Sequence, residues 1–157
     1  CPLVIDADAL NVAATMNLQK FPENCVLTPH EGELARLLKI FPAQIKKNRE
    51  ASILLAQEKF GCTILLKGHK TLVANKNNLF EIQSGNAALA KAGTGDVLTG
   101  IIAALLAQKL SPIEAACLGA FTHGYVADQW IRKNDPISLM ASDLNILLPK
   151  ILKKIRR

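Results

Sequence analysis

Short apolar runs alternate with amphipathic stretches over the first half of the chain. Leu3-Val4-Ile5 closes on Asp6-Ala7-Asp8, and the alanine- and leucine-bearing segment that follows predicts a helix to about Leu18. Cys25-Val26-Leu27 leads into Thr28-Pro29-His30-Glu31, which predicts a helix start with Thr28 at the N-cap, Pro29 in the first turn and Glu31 closing a capping box. Leu34, Leu37 and Leu38 then supply the buried stripe. A third helix is predicted from about Lys47 to Phe60, with Gly61 placed to end it, and Thr63 to Leu66 reads as the next strand. Strand, helix, strand, helix in this order predicts an α/β fold with a mainly parallel sheet flanked by helices.

The second half breaks that rhythm. Thr71 to Ala74 and Leu79 to Ile82 are short β-type runs joined by Asn75-Lys76-Asn77-Asn78, a hairpin expected at the sheet edge. A glycine-bearing stretch, residues 84–95, leads into an apolar helix from Asp96 to Gln108. Ser111-Pro112-Ile113-Glu114 is a second capping box, opening a helix to about Ile131. Ser142 starts a last helix that Pro149 is expected to kink or divide. The pattern shows no repeat and no linker, so residues 1–157 read as one unit. The longest apolar run, Val97 to Ala107, falls short of the roughly 20 residues a spanning helix needs, so no membrane segment is expected.

Ligands of open α/β sheets bind beyond the carboxyl ends of the strands. Asp6 with Asp8, Thr28 to Glu33, and Lys67 to Thr71 fall there, and Gly93-Thr94-Gly95-Asp96 stands at a helix start. Two glycines let the backbone turn tightly and approach a ligand. The free amides of a helix start carry partial positive charge, suited to a phosphate or a developing oxyanion. A carboxylate beside them could take a proton from a substrate hydroxyl. The competing reading makes Asp96 an ordinary first-turn carboxylate, and these four residues alone leave both open. The segment lacks the Lys-Ser/Thr of a P-loop and carries Leu98 where a dinucleotide fingerprint has its third glycine.

Composition adds limits. Hydrophobic residues make up 50% of the chain and charged ones 20%, a globular balance, and with aromatics at 4% the core must be aliphatic. The net charge of +6 suggests nucleic acid until it is located. Lys150, Lys153, Lys154, Arg156 and Arg157 hold nearly all of the excess, leaving fourteen basic against thirteen acidic residues in 1–149. Such an end predicts a solvated tail and no nucleic-acid surface. Cys1, Cys25, Cys62 and Cys117 lack zinc-ligand spacing and read as reduced, mostly buried thiols of a cytoplasmic protein. The start has no basic n-region, so no secretory signal is expected. A strand-like run at the first residues is expected to lie inside a larger domain.

Four stretches, VIDADALN (4–11), LTPHEGELARLL (27–38), LLKGHKT (65–71) and GTGDVLTGIIAALL (93–106), resemble in order and spacing the ribokinase-like superfamily. Within it they are similar to the C-terminal type of domain of the ADP/ATP-dependent NAD(P)H-hydrate dehydratases, as are HGYVAD (123–128) and ASDL (141–144) in the final helices. The resemblance covers essentially the whole chain. It implies a ribokinase-like fold and a repair reaction that removes water from hydrated NADH or NADPH at the expense of ADP or ATP, with Mg2+. The family domain has a further N-terminal portion ahead of VIDADALN. Residues 1–157 would then be the C-terminal portion of a single ribokinase-like domain, truncated at its N-terminus. A homo-oligomer, or association with the missing part, is expected.

The resemblance also implies roles. Asp96 would be the catalytic base on the substrate hydroxyl. Lys67, Gly68, His69, Lys70, Thr71 and Gly95 would hold the nucleotide, and His30 with Asp96 would meet the hydrated substrate. Glu33 would approach magnesium-bound water, with no protein residue as a metal ligand. From the residues alone, His30 reads as a solvated first-turn side chain and Lys67 as a strand-end lysine reaching solvent. Asp6 and Asp8 read as helix caps, Glu33 as a partner of Arg36, and Cys117 and His123 as packing residues. Residues 85–91 read Gly-Asn-Ala-Ala-Leu-Ala-Lys where the family has Gly-Asn-Pro-Gly-Met-Ala-Thr, which predicts a changed loop stiffness. Two alternatives stand beside the dehydratase. One is a ribokinase-like kinase of the hydroxymethylpyrimidine or hydroxyethylthiazole type; the other is a nucleotide-binding fragment without catalysis.

Overall fold

The computed structural model describes residues 1–155; Arg156 and Arg157 of the basic tail lie outside the described residues. Strands β1 (Leu3–Ile5), β2 (Cys25–Leu27), β3 (Thr63–Leu66), β4 (Leu72–Ala74) and β5 (Leu79–Glu81) form one sheet in chain order. β1, β2 and β3 are parallel, and β4 and β5 add an antiparallel hairpin, so the sheet is mixed. The helices are α1 (Asp8–Thr15), α2 (Glu31–Leu38), α3 (Pro42–Lys47), α4 (Arg49–Phe60), α5 (Thr94–Ala107), α6 (Pro112–Trp130) and α7 (Ala141–Ile155).

Strand alternation divides the core. Cys25, Leu27, Ile64, Leu66, Leu72 and Ala74 pack with Leu10, Leu34, Ile45, Ile53 and Phe60 of α1–α4. Val26, Leu65 and Val73, from the same strands, pack with Leu98, Ile102, Leu106 and Ala116 of α5 and α6 on the other face. A third cluster joins Val126 and Ala127 of α6 to Leu139 and to Leu144 and Ile151 of α7. β1 has no partner on its outer side among the described residues. Among those residues no helix is long and apolar enough to cross a membrane.

Several boundaries differ from the sequence expectations. α2 starts two residues after Pro29, with His30 and not Thr28 as its N-cap. Thr28 and Pro29 still serve the sheet: Thr28 N–H donates to the Ile5 carbonyl at 3.1 Å, and the Pro29 carbonyl accepts from Lys67 N–H at 2.8 Å. The helix expected from about Lys47 to Phe60 is α4, which starts two residues later because Asn48, at φ −150°, caps it with its side chain; the short α3 ahead of it, ending at Lys47, was not expected. Pro149 does not divide α7. It is exposed, as is Asn145, whose carbonyl loses its helical donor to the proline ring. Neither Asp6 nor Asp8 caps α1, whose N-cap is Ala7 with no side-chain bond. Gly61 ends α4 at φ +73°, and Asn75–Asn78 turn the hairpin, both as expected.

One glycine fixes how α6 meets the segment after the hairpin. A Cβ on Gly124 would lie 2.6 Å from the carbonyl carbon and oxygen of Ser84, backbone that cannot step aside cheaply. Gly124→Ala is therefore expected to destabilise the fold by about 1–3 kcal/mol. Urea unfolding measures this, and a change below about 0.5 kcal/mol would mean that residues 84–86 yield freely.

Candidate functional site

Asp6 follows β1, His30 caps the helix after β2, and Lys67 follows β3, so three strand ends deliver polar groups to one region. Lys67 Nζ bonds Asp6 Oδ1 at 2.7 Å and lies 3.8 Å from Glu33 Oε2. Thr99 Oγ1 donates to the other Asp6 oxygen at 2.7 Å. Burial alone would raise the Asp6 carboxyl; bonds from Lys67 and Thr99 and the lysine's charge outweigh it and hold the group below its ordinary 3.8. Asp6 thus anchors Lys67, a role that the sequence, read for helix caps, did not reveal.

Arg49 fixes the following loop. Its guanidinium donates to the carbonyls of Leu66 and Lys67 at 3.2 Å, of Lys70 at 3.3 Å, and of His69. Glu31 Oε1 lies 3.4 Å from its Nε. Nothing in the spacing of Arg49 pointed to this; only the return of α4 against the end of β3 brings them together.

Lys67 and the Gly-Thr-Gly-Asp segment converge. A Cβ on Gly95 would stand 3.6 Å from Lys67 Nζ. α5 begins there with Gly93 at φ +83° and no side-chain cap, which leaves the Gly95 and Asp96 amides without a partner among the described residues and free for an anion. A cavity of about 230 Å³ opens beside them. Lys67, Gly68, His69, Lys70 and Thr71 line it from the β3–β4 loop, Thr94, Gly95 and Leu98 from α5, and Ala120, His123 and Gly124 from α6. Ser84 to Ala87, Leu89 and Ala90 complete it. Asp128 clamps that last segment, accepting from Gly85 N–H at 2.9 Å and Asn86 Nδ2 at 2.8 Å. Asn86 Oδ1 accepts from Ala88 N–H at 3.0 Å, and Lys91 Nζ reaches the carbonyls of Leu139, at 2.8 Å, and Ile137. These bonds hold the loop that lacks proline and a second glycine.

His30 lies in an adjoining hollow that shares Lys67, Gly68 and His69 with the cavity. Its Nδ1 accepts from the Gly32 and Glu33 amides at 2.9 and 3.3 Å, so the neutral ring carries its proton on Nε2. Glu33 Oε2 accepts from His30 N–H at 2.8 Å. The imidazole is therefore oriented by its cap, while about half of its side chain remains exposed to solvent as the residues alone implied. Arg36, the expected partner of Glu33, bonds Asn11 Oδ1 instead at 2.7 Å. Asp96, next to Gly95, is exposed, lines neither hollow and has no hydrogen-bond or ion-pair partner among the described residues. The structure therefore unites Lys67–Thr71 with Gly95, sets His30 next door, and leaves the Asp96 carboxylate free.

His123 is the residue that sequence reasoning assigned to packing. It is 7% exposed, yet it lines the cavity, and its Nε2 has no hydrogen-bond partner among the described residues. Burial pushes its pKa down from 6.5 to about 4, offset in part by a bond with the Thr94 backbone. The folded protein holds this ring neutral where the unfolded chain would protonate it. Its contribution to stability is complete above pH 6.5 and falls as pH drops toward 4. The loss reaches about 3 kcal/mol, and His123→Gln should remove most of that slope in urea titrations between pH 6.5 and 4.5. An unchanged slope would mean that the ring titrates normally in the fold.

Cys1 is exposed, and the other three thiols sit in apolar surroundings. Burial raises Cys25, takes Cys62 to about 12 and takes Cys117 to about 11, values that suppress thiolate chemistry. Among the described residues no three His, Cys, Asp or Glu side chains are grouped to hold a metal ion.

The sequence profile of the NAD(P)H-hydrate dehydratases matches residues 1–150. The ADP-dependent (S)-NAD(P)H-hydrate dehydratase of Neisseria meningitidis is 51% identical over 132 residues, which are 81% of this chain and 45% of that protein. The bifunctional NAD(P)H-hydrate repair enzyme of Escherichia coli is 43% identical over 152 residues, 96% of this chain and 29% of the enzyme. The ADP/ATP-dependent NAD(P)H-hydrate dehydratase of Bacillus subtilis, co-crystallized with ATP/Mg2+ and soaked with CoA, superposes with a TM-score of 0.89 at 31% identity. The superposition covers 98% of this chain and 56% of the Bacillus one. The chain thus spans about half, or less, of the length of the relatives it matches.

Proposed function

The chain belongs to the NAD(P)H-hydrate dehydratase family, with its ribokinase-like fold, and we propose that it serves the nucleotide-dependent dehydration of hydrated NADH or NADPH. In this reading residues 1–157 are the C-terminal portion of one ribokinase-like domain. The observation that carries it is the convergence of Lys67 and Gly95 on one cavity at an uncapped helix start. A cation and free amides facing a hollow lined by Leu89, Leu98 and Ala120 fit a ligand with an anionic end and an apolar body. ADP or ATP has that form, and relatives bear nucleotide-dependent names.

The chemistry follows from that arrangement. The hydroxyl of the hydrated nicotinamide ring attacks the terminal phosphoryl group of ADP or ATP and displaces AMP or ADP, and Asp96, whose carboxylate has no competing partner among the described residues, takes the hydroxyl proton. The amides of Gly95 and its neighbours, with Lys67, hold the transferred group and the charge that builds on it. The ring nitrogen then pushes out phosphate, and a ring proton leaves as the double bond re-forms. His30 meets the hydrated ring from the adjoining hollow. Magnesium, when bound, would neutralise part of the charge on the nucleotide phosphates, with Glu33 approaching its bound water.

The deciding experiment incubates the purified protein with hydrated NADH, magnesium and ADP or ATP. Recovery of NADH absorbance with an equal release of phosphate is the expected result. A phosphorylated product with no free phosphate would make it a kinase. Nucleotide binding without turnover would leave a binding module.

A further inference from the structure

We propose that His123 contacts the nucleoside portion of the bound nucleotide through Nε2 and sets the preference for a nucleotide over phosphate alone. The proposal rests on the cavity being the nucleotide site.

The position of the ring is the first argument. His123 and Gly124 line the cavity from α6 where the absence of a Cβ on Gly124 lets the Ser84 backbone close against the helix. The clamp of Asp128 on Gly85 and Asn86 holds the facing segment at the same seam. His123 is thereby fixed where α6, the start of α5 and residues 84–90 meet.

Its unused bonding capacity is the second. A side chain 7% exposed with an unpartnered ring nitrogen is uncommon, because buried polar atoms are nearly always satisfied. A ligand in the cavity that bonds Nε2 removes that deficit. Charge is the third. Phosphates are matched by Lys67 and the α5 amides. A neutral imidazole beside Leu98 and Ala120 adds no charge and suits a hydroxyl or amine of a nucleoside.

The test compares ADP and inorganic pyrophosphate binding by calorimetry in the wild type, His123→Leu and His123→Gln. Leucine keeps the bulk and removes the bond; glutamine places an amide near the position of Nε2. The leucine variant should bind ADP roughly 5- to 50-fold more weakly with pyrophosphate affinity unchanged, and glutamine should restore most of the loss. Equal ADP affinity in all three proteins overturns the proposal, as does an equal weakening of ADP and pyrophosphate. A wild type that binds neither ADP nor ATP overturns the nucleotide site itself, which separates the two failures. If the leucine variant does not fold, the wild-type imidazole 15N resonances decide: ADP should shift Nε2 of His123 and pyrophosphate should not. No shift with ADP overturns the contact.

Discussion

Asp96→Asn is expected to cut turnover by roughly 10²–10⁴-fold while ADP affinity stays within a few-fold of wild type. Asp96 sits in the first turn of α5 but is not its cap; Gly93 is, and the Asp96 carboxylate bonds nothing among the described residues. The exchange to Asn therefore breaks no structural contact. It removes one favourable charge at a helix N-terminus, about 0.3–1 kcal/mol at an exposed position. The melting temperature should shift by only a few degrees. What the variant loses is the proton acceptor beside the anion-binding amides. NADH recovery from the hydrate reports turnover, and calorimetry reports ADP binding on the same sample. Near-normal turnover would remove Asp96 from the mechanism. Joint loss of fold and binding would make it a structural residue.

The fold was largely legible because its signals are local. Leu3–Ile5 and Cys25–Leu27 each stood out as an apolar run followed by a helical pattern and Thr63–Leu66 as the apolar run after a helix, and all three are parallel strands. Ser111 and Glu114 cap α6 as their spacing predicted. Errors arose where two local signals competed. Thr28-Pro29 has the chemistry of a helix start, but the sheet claims both residues, and the cap passes to His30. Asn48 reads as one more helix residue until its side chain caps α4.

The site was legible in a different way. The glycines and basic residues of 67–71 and 93–96 could be named because each segment carries its own chemistry. Their supports could not. Asp6 meets Lys67 across 61 positions and Thr99 across 93, and Asp128 meets Asn86 across 42. Such pairs are created by the sheet and leave no spacing to read. His123 is buried in its helix as its apolar context implied, but only the closure of three elements around it leaves its Nε2 without a partner among the described residues at a cavity.

Lys67→Met is expected to weaken ADP binding by roughly 10- to 100-fold and to destabilise the fold by about 1–3 kcal/mol. The affinity loss follows from the missing cation beside Gly95. The stability loss follows from Asp6, whose side chain is 9% exposed and would lose its 2.7 Å partner. Breaking a fully buried pair costs about 3–5 kcal/mol; here Lys67 is 20% exposed, and water screens part of the penalty. The sign with pH distinguishes this cause from lost packing. In the wild type the Asp6 pKa is lowered, so the pair's contribution is present above 3.8 and disappears as pH falls through the folded value below that. Without Lys67 the burial that opposes the lowering is left dominant, and the carboxyl rises. The variant should then be weakest at neutral pH relative to wild type, and the two proteins should converge in acid. Asp6→Asn added to Lys67→Met removes the unpaired charge and should recover much of the stability without recovering ADP affinity. A gap between variant and wild type that stays constant from pH 7 to pH 3 would assign the loss to packing. Unchanged ADP affinity in the single variant would take Lys67 out of the nucleotide site.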